Sequence, residues 1–196
     1  LASALFAQTL TVTVSPGGLS SAVQTEKTKP ITDLAINGTI DQSDLDFVRQ
    51  KLTSLSSLSL KNASLSGKEN SSLPANALKN AQIEKIVLPD GLKTIGMAAL
   101  AECNKLAYCD LPASLVTIGS GAFENCVLLK SLQCPPALSS IAGYAFIGCS
   151  GLSTVQFTEG IDSLGEYAFG MCSGLRVVEL PASISFIGKY AFSDCS

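Results

Sequence analysis

Ser120–Cys126 reads SGAFENC, and the phrase returns as GYAFIGC at Gly143–Cys149, EYAFGMC at Glu166–Cys172 and KYAFSDC at Lys189–Cys195. Each copy closes on cysteine and follows the last by 23 residues. Working outward multiplies the columns. The cysteine column begins earlier, at Cys103, and the same step links Ile95, Ile118, Ile141, Leu164 and Ile187. It links Gly96, Gly119, Ala142, Gly165 and Gly188, and it links Leu100, Phe123, Phe146, Phe169 and Phe192, each of the last set preceded by alanine. Pro89, Pro112, Pro135 and Pro181 keep step, with Thr158 in the fourth slot. So many columns in one register define a repeat protein, whose units must stack because none can bury its apolar face alone.

Between cysteine and proline each unit carries an L-x-x-L-x-L phrase: Leu106-Cys109-Leu111, Leu129-Leu132-Cys134, Leu152-Val155-Phe157 and Leu175-Val178-Leu180. The alternation in its second half predicts a short strand with one buried face. Proline, which has no N–H to give a ladder, closes the strand. The L-x-x-I-G-x-x-A-F stretch that follows has apolar spacings of three and four, which predict a tight helical or 3₁₀ turn. Stacking the units aligns the strands into a parallel sheet and the leucines, phenylalanines and cysteines into internal columns.

Upstream the pattern continues less evenly. Ile83-Ile86-Leu88, Leu55-Leu58-Leu60 and Ile31-Leu34-Ile36 fit the strand phrase. In DQSDLDFVRQKL, Leu45, Val48 and Leu52 share one helical face, with Asp41 or Ser43 as cap and Arg49 and Lys51 in the last turn. The alternating TLTVTV and the SPGGLSSAVQ after it are expected to build an N-terminal cap over residues 8–30. The organisation expected is thus one repeat domain over 8–196: the cap, irregular repeats with one helix over 31–82, and regular repeats over 83–196. Residues 1–7, apolar and rich in small side chains, read as the tail of a secretory leader with Ala7 at the cleavage position.

Composition narrows the function. Hydrophobic residues make up 46% of the 196, ample for a core, and the net charge is -3. No lysine or arginine block offers a footprint for nucleic acid, and no apolar run reaches the ~20 residues of a membrane span. The absence of histidine removes Ser-His-Asp and Cys-His pairs and the commonest metal ligand. No catalytic constellation, cofactor loop or metal motif is read, and the chain is expected not to be an enzyme.

The phrase L-x-x-L-x-L-P-x-x-L-x-x-I-G-x-x-A-F-x-x-C resembles the BspA-like class of bacterial leucine-rich repeats over residues 83–196. The resemblance implies an α/β solenoid of leucine-rich-repeat type, a right-handed superhelix with a parallel sheet on one face and short helical or 3₁₀ turns on the other. It also implies a secreted or cell-surface protein, extracellular or associated with the outer membrane. Adhesion to host matrix proteins or to other cells is reported for some relatives.

Seven cysteines leave disulfides, a metal site and plain packing as readings. The close pairs are spaced six and eight apart rather than in the C-x₂₋₄-C pattern of zinc sites, so packing as small buried hydrophobes is favoured. Asp41, Asp44 and Asp46 hint at calcium but lack the spacing of a calcium loop, and helix capping explains them. What remains is the outward row of the strand face: Lys85, Tyr108, Asp110, Ser131, Gln133, Thr154, Gln156, Val177 and Glu179. Solenoid faces bind partners, so this row is the expected contact surface for a protein or glycan, with Tyr108 foremost. Tyr144, Tyr167 and Tyr190 are expected to stack on the turn side in a mainly structural role. The alternative is a spacer or stalk segment of a larger surface protein.

Overall fold

The computed structural model describes residues 8–24, 30–67 and 71–195. The leader-like segment 1–7 lies outside them. The chain opens with β1 (Gln8–Val14), α1 (Leu19–Gln24), β2 (Ile31–Ile40), α2 (Gln42–Lys51), β3 (Ser57–Ser59), β4 (Ala63–Leu65) and β5 (Ser72–Leu73). The repeats then alternate three-residue with two-residue strands: β6 (Lys85–Val87), β7 (Thr94–Ile95), β8 (Tyr108–Asp110), β9 (Thr117–Ile118), β10 (Ser131–Gln133), β11 (Ser140–Ile141), β12 (Thr154–Gln156), β13 (Ser163–Leu164) and β14 (Phe186–Ile187). All strand pairs are parallel, as coil-on-coil stacking requires.

Three hydrogen-bonded ladders run along the stacked coils. The strand phrase forms the first, with β1-β2-β3-β6-β8 in one sheet and β10-β12 in another. The two-residue strands form the second, an unbroken sheet β5-β7-β9-β11-β13-β14. The third lies in the A-F arc. There, alternate N–H groups bond within the coil and across to the next: Ala99 and Ala101 N–H donate to Gly96 and Ala98 carbonyls, whereas Ala98, Leu100 and Glu102 N–H donate to Ser120, Ala122 and Glu124 carbonyls. The scheme recurs in every arc to the bonds from Tyr167, Phe169 and Met171 N–H to Lys189, Ala191 and Ser193. Backbone polar groups that the packed core would strand are thereby paired.

The arc is built of single turns. It contains neither α- nor 3₁₀-helix, because two residues per coil, four apart, adopt positive φ: Ala98 and Glu102, Gly121 and Asn125, Tyr144 and Gly148, Tyr167 and Met171, Tyr190 and Asp194. Left-handed residues break any helical run. The two described helices, α1 and α2, both lie ahead of the regular repeats. The glycines that follow the Ile/Leu column at four of its five positions, Ala142 being the exception, have a separate reason. A Cβ at Gly119 would sit 2.7 Å from the Ile95 carbonyl oxygen, and one at Gly165 would fall on the Gly143 amide nitrogen.

The phenylalanine column is superposed rung on rung. Phe123 and Phe146 rings lie 5.0 Å apart and 6° from parallel, Phe146 and Phe169 5.1 Å and 4°, Phe169 and Phe192 5.4 Å and 4°. One continuous hydrophobic cluster runs from Val12 to Leu175. The last strand phrase departs from expectation: Arg176–Leu180 forms no strand, and no ladder bonds join it to β12.

Candidate functional site

The cysteine column resolves first. All seven cysteines are free. Cys103, Cys126, Cys149, Cys172 and Cys195 donate their S–H to the carbonyls of Leu78, Leu100, Phe123, Phe146 and Phe169, at 3.1–3.2 Å. Each acceptor sits in the Leu/Phe column of the preceding coil. Cysteine suits the inward corner because it is small and apolar yet keeps one weak donor for a buried carbonyl. Burial pushes the Cys103 and Cys149 thiols up to about 12, with backbone donors opposing it only in part, and drives Cys126 and Cys172 higher still. Thiols so held are poor nucleophiles and poor metal ligands at neutral pH.

The acidic cluster is absorbed by the N-terminal region. Asp41 caps α2, its side chain accepting from Ser43 and Asp44 N–H, and hydrogen bonds from Ser43 hold its carboxyl below the ordinary carboxylate range against the opposing pull of burial. Asp44, only 2% exposed, accepts from Asp41 N–H and from Gly17 and Leu19 N–H at the start of α1. It ties the two helices together. Asp46 pairs with Arg49 at 2.8 Å. Among the described residues no three histidine, cysteine, aspartate or glutamate side chains gather as a metal would need, and no helix is long and apolar enough to cross a membrane.

The outward row stands where the alternation places it. Lys85, Tyr108, Asp110, Ser131, Gln133, Thr154, Gln156, Val177 and Glu179 are all exposed, the first seven on strand-phrase strands and the last two on the segment that forms no strand. The structure adds a feature that spacing alone did not reveal: this ladder is interrupted twice. Between β6 and β8, Tyr108 N–H donates to the Glu84 carbonyl and Leu88 N–H to the Asp110 carbonyl. One coil later the equivalent donors, Ser131 and Leu111 N–H, make no bond across to the neighbouring strand, and β8 and β10 are unpaired. A cleft of about 380 Å³ occupies this seam, lined by Tyr108, Asp110, Ser131, Gln133 and Thr158 over the half-buried Cys109. Burial and the adjacent Asp110 carboxylate raise the Cys109 thiol well above its usual range. Beyond the pair β10-β12, a second cleft of about 570 Å³ opens between Thr154–Phe157 and Val177–Glu179. Eight of the nine predicted residues, all but Lys85, thus border one cleft or the other.

Lys85 serves Tyr108 instead. Its ammonium lies 5.3 Å from the Tyr108 ring centroid and covers the ring from the preceding coil. The tyrosine ladder runs along the arc as expected, with Tyr144–Tyr167 stacked at 5.5 Å and Tyr167–Tyr190 tilted by 30° at 5.0 Å, so that Tyr167 has a ring on either side.

The BspA type leucine-rich repeat region matches residues 71–196 in six copies. A leucine-rich repeat protein from Bacteroides ovatus has a similar solved structure, with 19% identity, a TM-score of 0.52, and coverage of 95% of this chain and 73% of that one. A Treponema pallidum leucine-rich repeat protein is similar at 23% identity and a TM-score of 0.48, over 60% of this chain and 66% of that one. The chain therefore spans just under two thirds of the treponemal protein. No curated protein matches the chain in sequence.

Proposed function

The chain belongs to the BspA type leucine-rich repeat family, and from that premise we propose that it is a non-enzymatic binding module, secreted or displayed at the cell surface, holding a protein or glycan partner on its strand face. One observation carries the reading. The exposed polar row runs along the only one of the three ladders whose bonds are interrupted among the described residues, so backbone donors and polar side chains are left together in open clefts. The arc and the two-residue strands have spent their backbone groups on one another. Concave solenoid faces with such groups are suited to extended contact.

The test is capture of matrix proteins and surface glycans by the immobilised chain, against the variant Tyr108→Ala/Thr154→Ala/Gln156→Ala. The three side chains are exposed, so the fold should survive. Loss of capture with an unchanged circular dichroism spectrum supports the face. The spacer reading draws on the unbroken phenylalanine stack, which stiffens the rod. It requires that the triple variant capture whatever the unaltered chain captures.

A further inference from the structure

We propose that the seam between β8 and β10 is a subsite for a neutral sugar residue of an oligosaccharide, with Tyr108 as its stacking platform. This rests on the strand-face reading and narrows it to one partner class. Tyr108 is 48% exposed and has Lys85 on the face toward the preceding coil. Its other face looks to the following coil, where the stacking position is Ser131, a side chain too short to cover a ring. The column Lys85, Tyr108, Ser131, Thr154 therefore leaves one aromatic face beside a cleft, unlike Tyr167, whose ring lies between those of Tyr144 and Tyr190.

The chemistry around that face matches a polyol better than an ion or an apolar peptide side chain. Pyranose rings present C–H groups to an aromatic face and hydroxyls at their rim, each hydroxyl both donor and acceptor. At the seam the rim would meet the Asp110 carboxylate, the Ser131 hydroxyl, the Gln133 amide, and the Leu111 and Ser131 N–H groups that have no partner across the gap. The Asp110 carboxylate accepts hydroxyls and repels uronic and sialic acids, and the Lys85 ammonium is engaged over the ring. A volume of about 380 Å³ lies within the about 300–1,000 Å³ range of small-ligand pockets. The second cleft, two coils further on, lies about 10 Å away at the usual strand spacing, which favours an oligomer over a single sugar.

Titration calorimetry of the whole chain tests this with maltohexaose, cellohexaose, laminarihexaose and xylohexaose, and with hexagalacturonate as the anionic control. At least one neutral hexasaccharide should bind. That binding should weaken at least about tenfold in Tyr108→Ala, a 1.4 kcal/mol loss, and in Ser131→Tyr, which would lay a second ring over the free face. Tyr144→Ala should leave it unchanged, and hexagalacturonate should bind at least about tenfold more weakly. Tight hexagalacturonate binding, or neutral binding that ignores Tyr108, overturns the proposal, as does the absence of neutral binding throughout. If no saccharide binds while the triple strand-face variant still loses capture of a matrix protein, the sugar subsite is refuted and the binding face stands. If the triple variant loses nothing, both fail.

Discussion

The three ladders of one coil are made from the same 23-residue sentence, yet two are sealed and one is not. In the A-F arc every N–H from Ala98 to Cys103 has a carbonyl, and the pattern repeats through Met171. Along the strand phrase, bonds stop at Asp110, resume for one pair, and stop again after Gln156. The lesson is a division of labour within a repeat. The sealed ladders and the columns beneath them hold the rod, and the interrupted ladder is free to differ from coil to coil.

The largest test of that division compares Phe146→Ala with Tyr108→Ala. Phe146 is fully buried between two stacked rings, and removing it should destabilise the protein by about 3–5 kcal/mol in urea unfolding. Tyr108→Ala, on the open ladder, should stay within about 0.5 kcal/mol. Equal losses would erase the distinction.

A second test uses alkali. Burial raises the Cys103, Cys134 and Cys149 thiols from an ordinary 9.0 to about 12. The unfolded chain therefore releases these protons first, so their contribution is intact below pH 9 and drains away as pH rises toward 12. The urea midpoint should fall between pH 8 and pH 11, and fall less steeply in Cys149→Ala. A slope indifferent to that substitution would contradict the sealed column.

The smallest effect concerns the left-handed residues. Met171 holds φ at +58° with its side chain largely exposed. Met171→Gly should stabilise the chain by about 0.5 kcal/mol, the relief of strain slightly exceeding the added freedom of the unfolded glycine. A loss of stability would show that the Met171 side chain packs usefully on the arc.

Much of this was legible before any coordinates. The period placed the phenylalanine and cysteine columns, the parallel strands and the outward row, because stacking forces equivalent residues into register. Three things were not. The spacing of three and four in I-G-x-x-A-F fits a helical turn as readily as an arc with two left-handed residues, and the left-handed sites carry alanine, glutamate, tyrosine and methionine as well as glycine and asparagine. A reader weighting Asn76, Asn80, Gly121, Asn125, Gly148 and Asp194 would have found the signal in four of the six coils. The seam has no local marker, since Leu106-Cys109-Leu111 and Leu129-Leu132-Cys134 obey the same pattern as the paired phrases. The Asp44 bonds to Gly17 and Leu19 were likewise out of reach, joining residues 27 and 25 positions apart.

Amide hydrogen exchange followed residue by residue addresses the central claim most directly. The N–H groups of Leu100, Phe123, Phe146 and Phe169 should exchange only with global unfolding, while those of Leu111 and Ser131 exchange orders of magnitude faster in the same native protein. Comparable protection at Leu111, Ser131 and the arc would mean that the strand ladder is closed throughout, and that the clefts on which the binding face depends do not exist.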